Sequence, residues 1–308
     1  MTAFDPELAG ALHGLPAGPP LTAESLPAVR QAMTDANLTC AEAIGDRDLV
    51  WTDHDVPGTD VVVTVIKPRH AEPGAPGFYN IHGGGTVVDN RFADLPRMVS
   101  LVEEFGFVAV TVEYRLAPEH PHPAPLDDCY AGLTWMAAHA GELGFDPARL
   151  VVGGGSAGGG LSAGVALLAR DRGGPALAGQ LLLCPMLDSR NNSASTVEFA
   201  ERGVWGRASN EFGWRSLLNG SSSPYAVPAT ATDLSGLPPA FIEVGAAEIF
   251  RDEDVDYARR LWQAKVPAEL HVWAGAYHGF DRIAPDSEVS RAARATRSSW
   301  LRRVIGRA

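Results

Sequence analysis

The chain has 308 residues, 45% hydrophobic and 20% charged, enough to bury a sizeable core and too apolar for intrinsic disorder. Its net charge of −12 argues against a nucleic-acid-binding surface and against attraction to anionic lipid. No run of about 18 apolar residues is present to span a membrane, residues 1–10 lack the features of a signal peptide, and Cys40, Cys129 and Cys184 stand far apart, in neither disulfide nor zinc spacing. A cytoplasmic protein with reduced thiols is expected.

Residues 1–45 contain Pro16, Pro19, Pro20 and Pro27, then a stretch of helical character over 28–44, and no strong strand signal. From about residue 49 the character changes. The β-branched run 61–66 reads as a strand and the Pro- and Gly-rich 68–77 as a turn. A short strand over 78–81 ends in His82-Gly83-Gly84-Gly85. A helix over 95–105 and a buried strand over 107–112 follow, then helix 126–140, strand 149–152, helix 161–170 and strand 180–184. Residues 188–225 break the rhythm and are rich in Ser, Asn and aromatics. Alternation resumes with strand 240–244, helix 253–263, strand 268–273 and a last helix around 287–304.

Continuous apolar strands separated by helices imply an α/β fold with a mostly parallel sheet covered on both faces. Two segments, 1–45 and 188–225, do not fit that sheet. They are expected to fold together as a cap over the site, 1–45 as its N-terminal part and 188–225 as an insertion into a catalytic domain of residues 46–308; the alternative is ordinary surface helices.

The run Gly153-Gly154-Gly155-Ser156-Ala157-Gly158 lies between a strand and a helix and fits two motifs. Gly153, Gly155 and Gly158 satisfy the dinucleotide fingerprint G-x-G-x-x-G; Gly154, Ser156 and Gly158 satisfy the nucleophile elbow G-x-S-x-G. A dinucleotide loop usually follows the first strand, whereas this one follows several. A phosphate-binding Walker loop would need a lysine, and none is present. An elbow requires an oxyanion loop upstream, then an acid, then a histidine, in that order. His82-Gly83-Gly84-Gly85 meets the first demand: the N–H groups of Gly83 and Gly84, with that of Ala157, are candidate oxyanion donors. A plain glycine turn is the alternative.

His278 follows the last strand and precedes a glycine, which makes it the candidate base. His271 lies within a strand and reads as structural, and His82 as a brace for its own loop. The acid should follow the strand 240–244. Glu248 sits in that loop, while Asp252, Glu253 and Asp254 suit the first turn of the next helix, where acids complement the helix dipole. Glu248 is therefore favoured over Asp252.

With those residues in view, the chain resembles the hormone-sensitive-lipase-like (bacterial family IV) group of α/β-hydrolases, from about residue 50 to 305. The resemblance rests on His82-Gly-Gly-Gly85, Tyr114-Arg-Leu-Ala-Pro-Glu119, Gly154-Gly-Ser-Ala-Gly-Gly159, Ile249-Phe-Arg-Asp-Glu253 and His278-Gly-Phe280. Within the group it is most similar to the bacterial heroin (acetyl) esterase type. The resemblance implies the α/β-hydrolase fold with eight strands and a helical cap, no cofactor and no metal, and frequent dimerisation. It implies hydrolysis of short- to medium-chain acyl esters by Ser156, His278 and Glu248 through an acyl-enzyme. The family usually has Asp where Glu248 stands, Asp at Gly155 and an aromatic residue at Thr86. Those last two departures border the nucleophile and the oxyanion loop, so Gly155 and Thr86 are candidate pocket residues. Phe199, Trp205, Phe212 and Trp214 are candidates to line the pocket from the cap, or else cap core. Lactone, amide or thioester hydrolysis on the same residues is the first alternative function. A non-catalytic small-molecule receptor is the second, although such a role usually follows loss of a triad residue and none is lost here.

Overall fold

The computed structural model describes residues 3–13 and 20–306. Pro16, Pro19 and the outermost residues at each end lie outside them. In chain order, the elements begin with α1 (Pro6–Leu12), α2 (Leu26–Ala36) and α3 (Cys40–Ile44), followed by β1 (Leu49–Asp55), β2 (Val62–Pro68) and β3 (Ala75–Ile81). Then come α4 (Leu95–Phe105), β4 (Val108–Glu113), α5 (Ala124–Ala138), α6 (Ala140–Leu143), β5 (Phe145–Gly155), α7 (Ala157–Arg172) and β6 (Gly179–Leu183). The irregular stretch carries α8 (Ala194–Glu198) and α9 (Arg207–Leu218). The chain closes with β7 (Ala240–Gly245), α10 (Arg251–Gln263), β8 (Ala268–Trp273), α11 (Phe280–Ile283) and α12 (Glu288–Ile305).

The strands form one eight-stranded sheet in the order β1-β2-β4-β3-β5-β6-β7-β8. β2 runs antiparallel to both its neighbours; every pairing from β4 to β8 is parallel. Alternate side chains feed two cores. Val108, Val110 and Val152 pack with Leu126, Leu133 and Val165 of α5 and α7. Ala109 and Val151 pack with Leu95, Met98 and Val102 of α4 and with Trp300 and Leu301 of α12. Both faces are thus covered, which is why β3, β6 and β7 are buried along their whole length.

β1 is the strand absent from the sequence expectations. It pairs only with β2, and its Asp53, His54 and Asp55 face water or half-face it, so it carries no apolar run. α1 was likewise unmarked. Its start is local chemistry: Pro6 in the first turn, and Asp5 Oδ1 accepting the N–H groups of Glu7 and Leu8. α7 begins at Ala157 rather than 161, its glycines held helical by burial rather than by propensity.

The two segments outside the sheet meet. Leu21 N–H donates to Ser209 Oγ at 3.0 Å, and Leu21 and Leu26 share an apolar cluster with Phe212, Val87 and Val88. Asp5 N–H donates to Gly275 O at 3.0 Å, tying α1 to the loop after β8.

Candidate active site

β5 ends at Gly155 and α7 starts at Ala157, so Ser156 makes the whole turn. It does so at φ 58°, ψ −125°, a conformation that costs a non-glycine residue about 1–3 kcal/mol and persists only where the surroundings impose it. They do so here. Ser156 N–H donates to Leu183 O at 2.8 Å, and Ser156 O accepts from Met186 and Gly160 N–H at 3.0 Å each. The helix that follows approaches β3 closely: a Cβ on Gly158 would lie 2.0 Å from Ile81 O. Among the described residues, Ser156 Oγ has no hydrogen-bond partner.

The loop His82–Gly85, the candidate oxyanion loop, packs against this elbow. A Cβ on Gly83 would lie 2.9 Å from Gly155 O and 3.4 Å from Ser156 Cβ, so only glycine permits the approach. Among the described residues no acceptor is bonded to the N–H of Gly83 or Gly84. Ala157, as the first residue of α7, has no helical carbonyl to bond. His82 is fully buried. Its Nδ1 lies 2.9 Å from Gly83 O and its ring stacks on Tyr114, whose hydroxyl donates to His82 O at 3.0 Å. It braces the loop rather than facing substrate. Thr86 is buried with φ 65°, and its hydroxyl donates to Gly85 O at 2.6 Å. Gly155 presents its bare Cα to Arg97: a Cβ there would lie 3.5 Å from Arg97 Nη1, a guanidinium already paired with Asp94 at 2.7 Å.

The loops after β7 and β8 bring Glu248 and His278 together. His278 Nδ1 lies 2.5 Å from Glu248 Oε2, and the other carboxylate oxygen accepts Gly245 N–H at 2.8 Å. Both side chains are largely buried, and Phe250 packs edge-on against the imidazole at 5.2 Å. Asp252, the rival acid, turns away: it accepts Ser195 N–H at 2.7 Å and pairs with Arg251. His271 of β8 stacks on Phe241 of neighbouring β7 and on Trp273 of its own strand, as its strand position suggests.

Several neighbours of this pair were not expected beside it. Cys184 directly follows β6, and its sulfur, a Glu248 oxygen and a His278 nitrogen all lie within 4.8 Å of one another. Behind them, Glu253 accepts the N–H groups of Leu187 and Asp188, while both oxygens of the fully buried Asp254 lack partners. Burial pushes both carboxyl groups well above the usual range, each raised further by neighbouring acids. On the opposite side, buried Arg297 of α12 bridges Glu243 of β7 and Asp281 of α11, bracing the histidine loop. Cys184 and Arg297 reach this region only through the sheet order, whereas Glu253 and Asp254 stand in the first turn of α10, where the sequence places them.

The aromatic candidates separate. Trp205 lies on the oxyanion loop: a Cβ on Gly85 would be 2.6 Å from its ring. α9 supports that contact through Gly213, which leaves room for Gly85 O. Phe199 and Trp214 are buried in a cluster with Ala157, Met186 and Phe250, and Phe212 is buried with Leu21 and Val88. These three pack as core, with Trp214 also bordering a cavity of about 560 Å³ beside Arg207 and Arg215.

Comparison with known proteins identifies the family. A family profile described as the α/β hydrolase fold matches residues 78–282. The chain is 36% identical to carboxylesterase NlhH of Mycobacterium tuberculosis over 232 residues, 73% of each chain. It is 34% identical to esterase LipI of the same species, over 72% of this chain and 70% of that one. Among solved structures, Bacterial Heroin Esterase superposes with a TM-score of 0.90 at 36% identity over 98% of both chains. Esterase LipW from Mycobacterium marinum gives 0.89 at 35%, over 98% of this chain and 96% of that one. The chain belongs to the α/β-hydrolase family, in its hormone-sensitive-lipase-like group.

Proposed function

We propose that the protein is a serine carboxylesterase acting on short- to medium-chain acyl esters, with Ser156 as nucleophile, His278 as base and Glu248 as the orienting acid. The observation that carries this reading is the 2.5 Å contact of His278 Nδ1 with a buried Glu248, at the same end of the sheet as the strained Ser156. A carboxylate on Nδ1 keeps the proton there and leaves Nε2 free to accept one from Ser156 Oγ. The alkoxide then attacks the ester carbonyl, and the oxyanion settles on the N–H groups of Gly83, Gly84 and Ala157. His278 returns the proton to the leaving alcohol, and water releases the acyl group by the same steps in reverse order. The elbow and the base are not yet hydrogen-bonded, as is common before substrate binds.

The cap assignment, residues 1–45 with 188–225, is supported where residues are described: Leu21 on Ser209, Asp5 on Gly275, and Trp205 over Gly85. The free cysteines fit a cytoplasmic location, and no described helix is long and apolar enough to cross a membrane. The outer edge of β8, with Val272 exposed, supports pairing of two copies.

The test is hydrolysis of p-nitrophenyl acetate, butyrate and octanoate by the wild type and Ser156→Ala, prepared identically, with a fluorophosphonate label as a second readout. Turnover and labelling should both vanish in the variant. Equal turnover in the two proteins would refute the reading.

A further inference from the structure

The buried acids near His278, namely Glu248, Glu253 and Asp254, pair with no lysine or arginine among the described residues. Both oxygens of Asp254 are unpartnered. At the edge of this group three different metal-binding side chains converge: Cys184, Glu248 and His278, with ligand atoms within 4.8 Å of one another. Thiolate, imidazole and carboxylate together suit zinc-class ions.

We infer that Cys184, Glu248 and His278 form an inhibitory site for a thiophilic divalent cation such as Zn²⁺. A tetrahedral ion with ligands at about 2.0–2.3 Å holds its ligand atoms roughly 3.5 Å apart. Drawing separations of at most 4.8 Å in to that value closes the set, and a fourth position stays open. The proton balance is simple. The Cys184 thiol proton leaves for solvent as the sulfur–metal bond forms. His278 Nδ1 takes the metal, and its proton reappears on Nε2. Glu248 exchanges its hydrogen bond to His278 for a bond to the ion. With Nε2 protonated and Nδ1 metallated, the imidazole cannot accept a proton from Ser156. Inhibition follows from this tautomer switch, and that consequence rests on the serine-esterase reading; the site itself does not.

The experiment separates the two. Co²⁺ is titrated into Ser156→Ala, into Cys184→Ala and, in case alanine disturbs the fold, into Cys184→Ser. A thiolate-to-cobalt absorption band is expected in the first and absent in the others. Zn²⁺ should abolish ester turnover of the wild type, reversibly with EDTA. Cys184→Ala should keep its turnover and need at least about 10-fold more zinc, since loss of even an outer supporting residue weakens a metal site by that much. No cobalt band, or a band that survives loss of Cys184, overturns the site. A cobalt band without zinc inhibition of an active wild type overturns the inhibitory role. Hydrolysis by Ser156→Ala would instead sink the esterase reading and leave the cobalt result standing.

Discussion

Glu248→Gln tests how the proposed triad sets its proton. Glu248 is pinned from two sides: Gly245 N–H donates to Oε1 at 2.8 Å, and His278 Nδ1 meets Oε2 at 2.5 Å. Glutamine has the same shape but one acceptor and one donor end. The Gly245 N–H demands the acceptor, so the amide NH₂ is left facing His278 and donates to Nδ1. The imidazole must then carry its proton on Nε2, the wrong tautomer for accepting one from Ser156. Turning the amide over restores the tautomer but sets a buried donor against Gly245 N–H, which costs about 1–3 kcal/mol. That alone is roughly 5- to 150-fold in kcat. If the amide stays put, the loss approaches about 10⁴-fold, as for a misdirected triad histidine. The assay is kcat on p-nitrophenyl butyrate, with a thermal melt to show that the fold is kept. A folded variant with the kcat of the wild type would refute the orienting role.

Two further outcomes follow from the site's surroundings. Trp205→Ala removes the ring above Gly85, and the octanoate-to-acetate ratio of kcat/KM should rise about 10-fold or more, within the range a reshaped apolar pocket commands; an unchanged ratio would place Trp205 outside the acyl path. Asp254→Asn should flatten the pH dependence of stability. Burial raises the native carboxyl above its unfolded value of about 3.9, so above that pH the native state keeps a proton the unfolded chain has released. Stability therefore falls as pH climbs until the native value is passed. Thermal melts from pH 4 upward should show a shallower decline in the variant, Glu253 retaining its own share, and an unaltered slope would contradict a protonated Asp254.

What the sequence disclosed was whatever is written locally. The elbow at Ser156 is legible because G-x-S-x-G describes a single turn, and the loop at His82 because consecutive glycines mark a backbone meant to be approached. Glu248 and His278 followed from chain order and from their places after strands. β1 was illegible because an edge strand with charged residues lacks an apolar run. Cys184 was read only as a lone thiol, since its nearness to His278 depends on β6, β7 and β8 lying side by side. The separation of Trp205 from Phe199, Phe212 and Trp214 depends on how α9 packs, and four aromatics in one polar stretch look alike.

The mutual contact of the oxyanion loop and the elbow bears on how this enzyme can be altered. Where Gly83 touches Gly155 and Gly158 touches Ile81, no side chain separates the two backbones. A library randomised at Gly83 and Gly158 would consist mostly of misfolded proteins, since a side chain at either runs into backbone. Those two positions therefore offer almost no room for tuning, and new selectivity has to be sought around them, at Gly155, where a side chain meets only ordinary contacts, or at Trp205. Engineering effort, like any accumulated variation compatible with activity, is channelled away from that backbone contact.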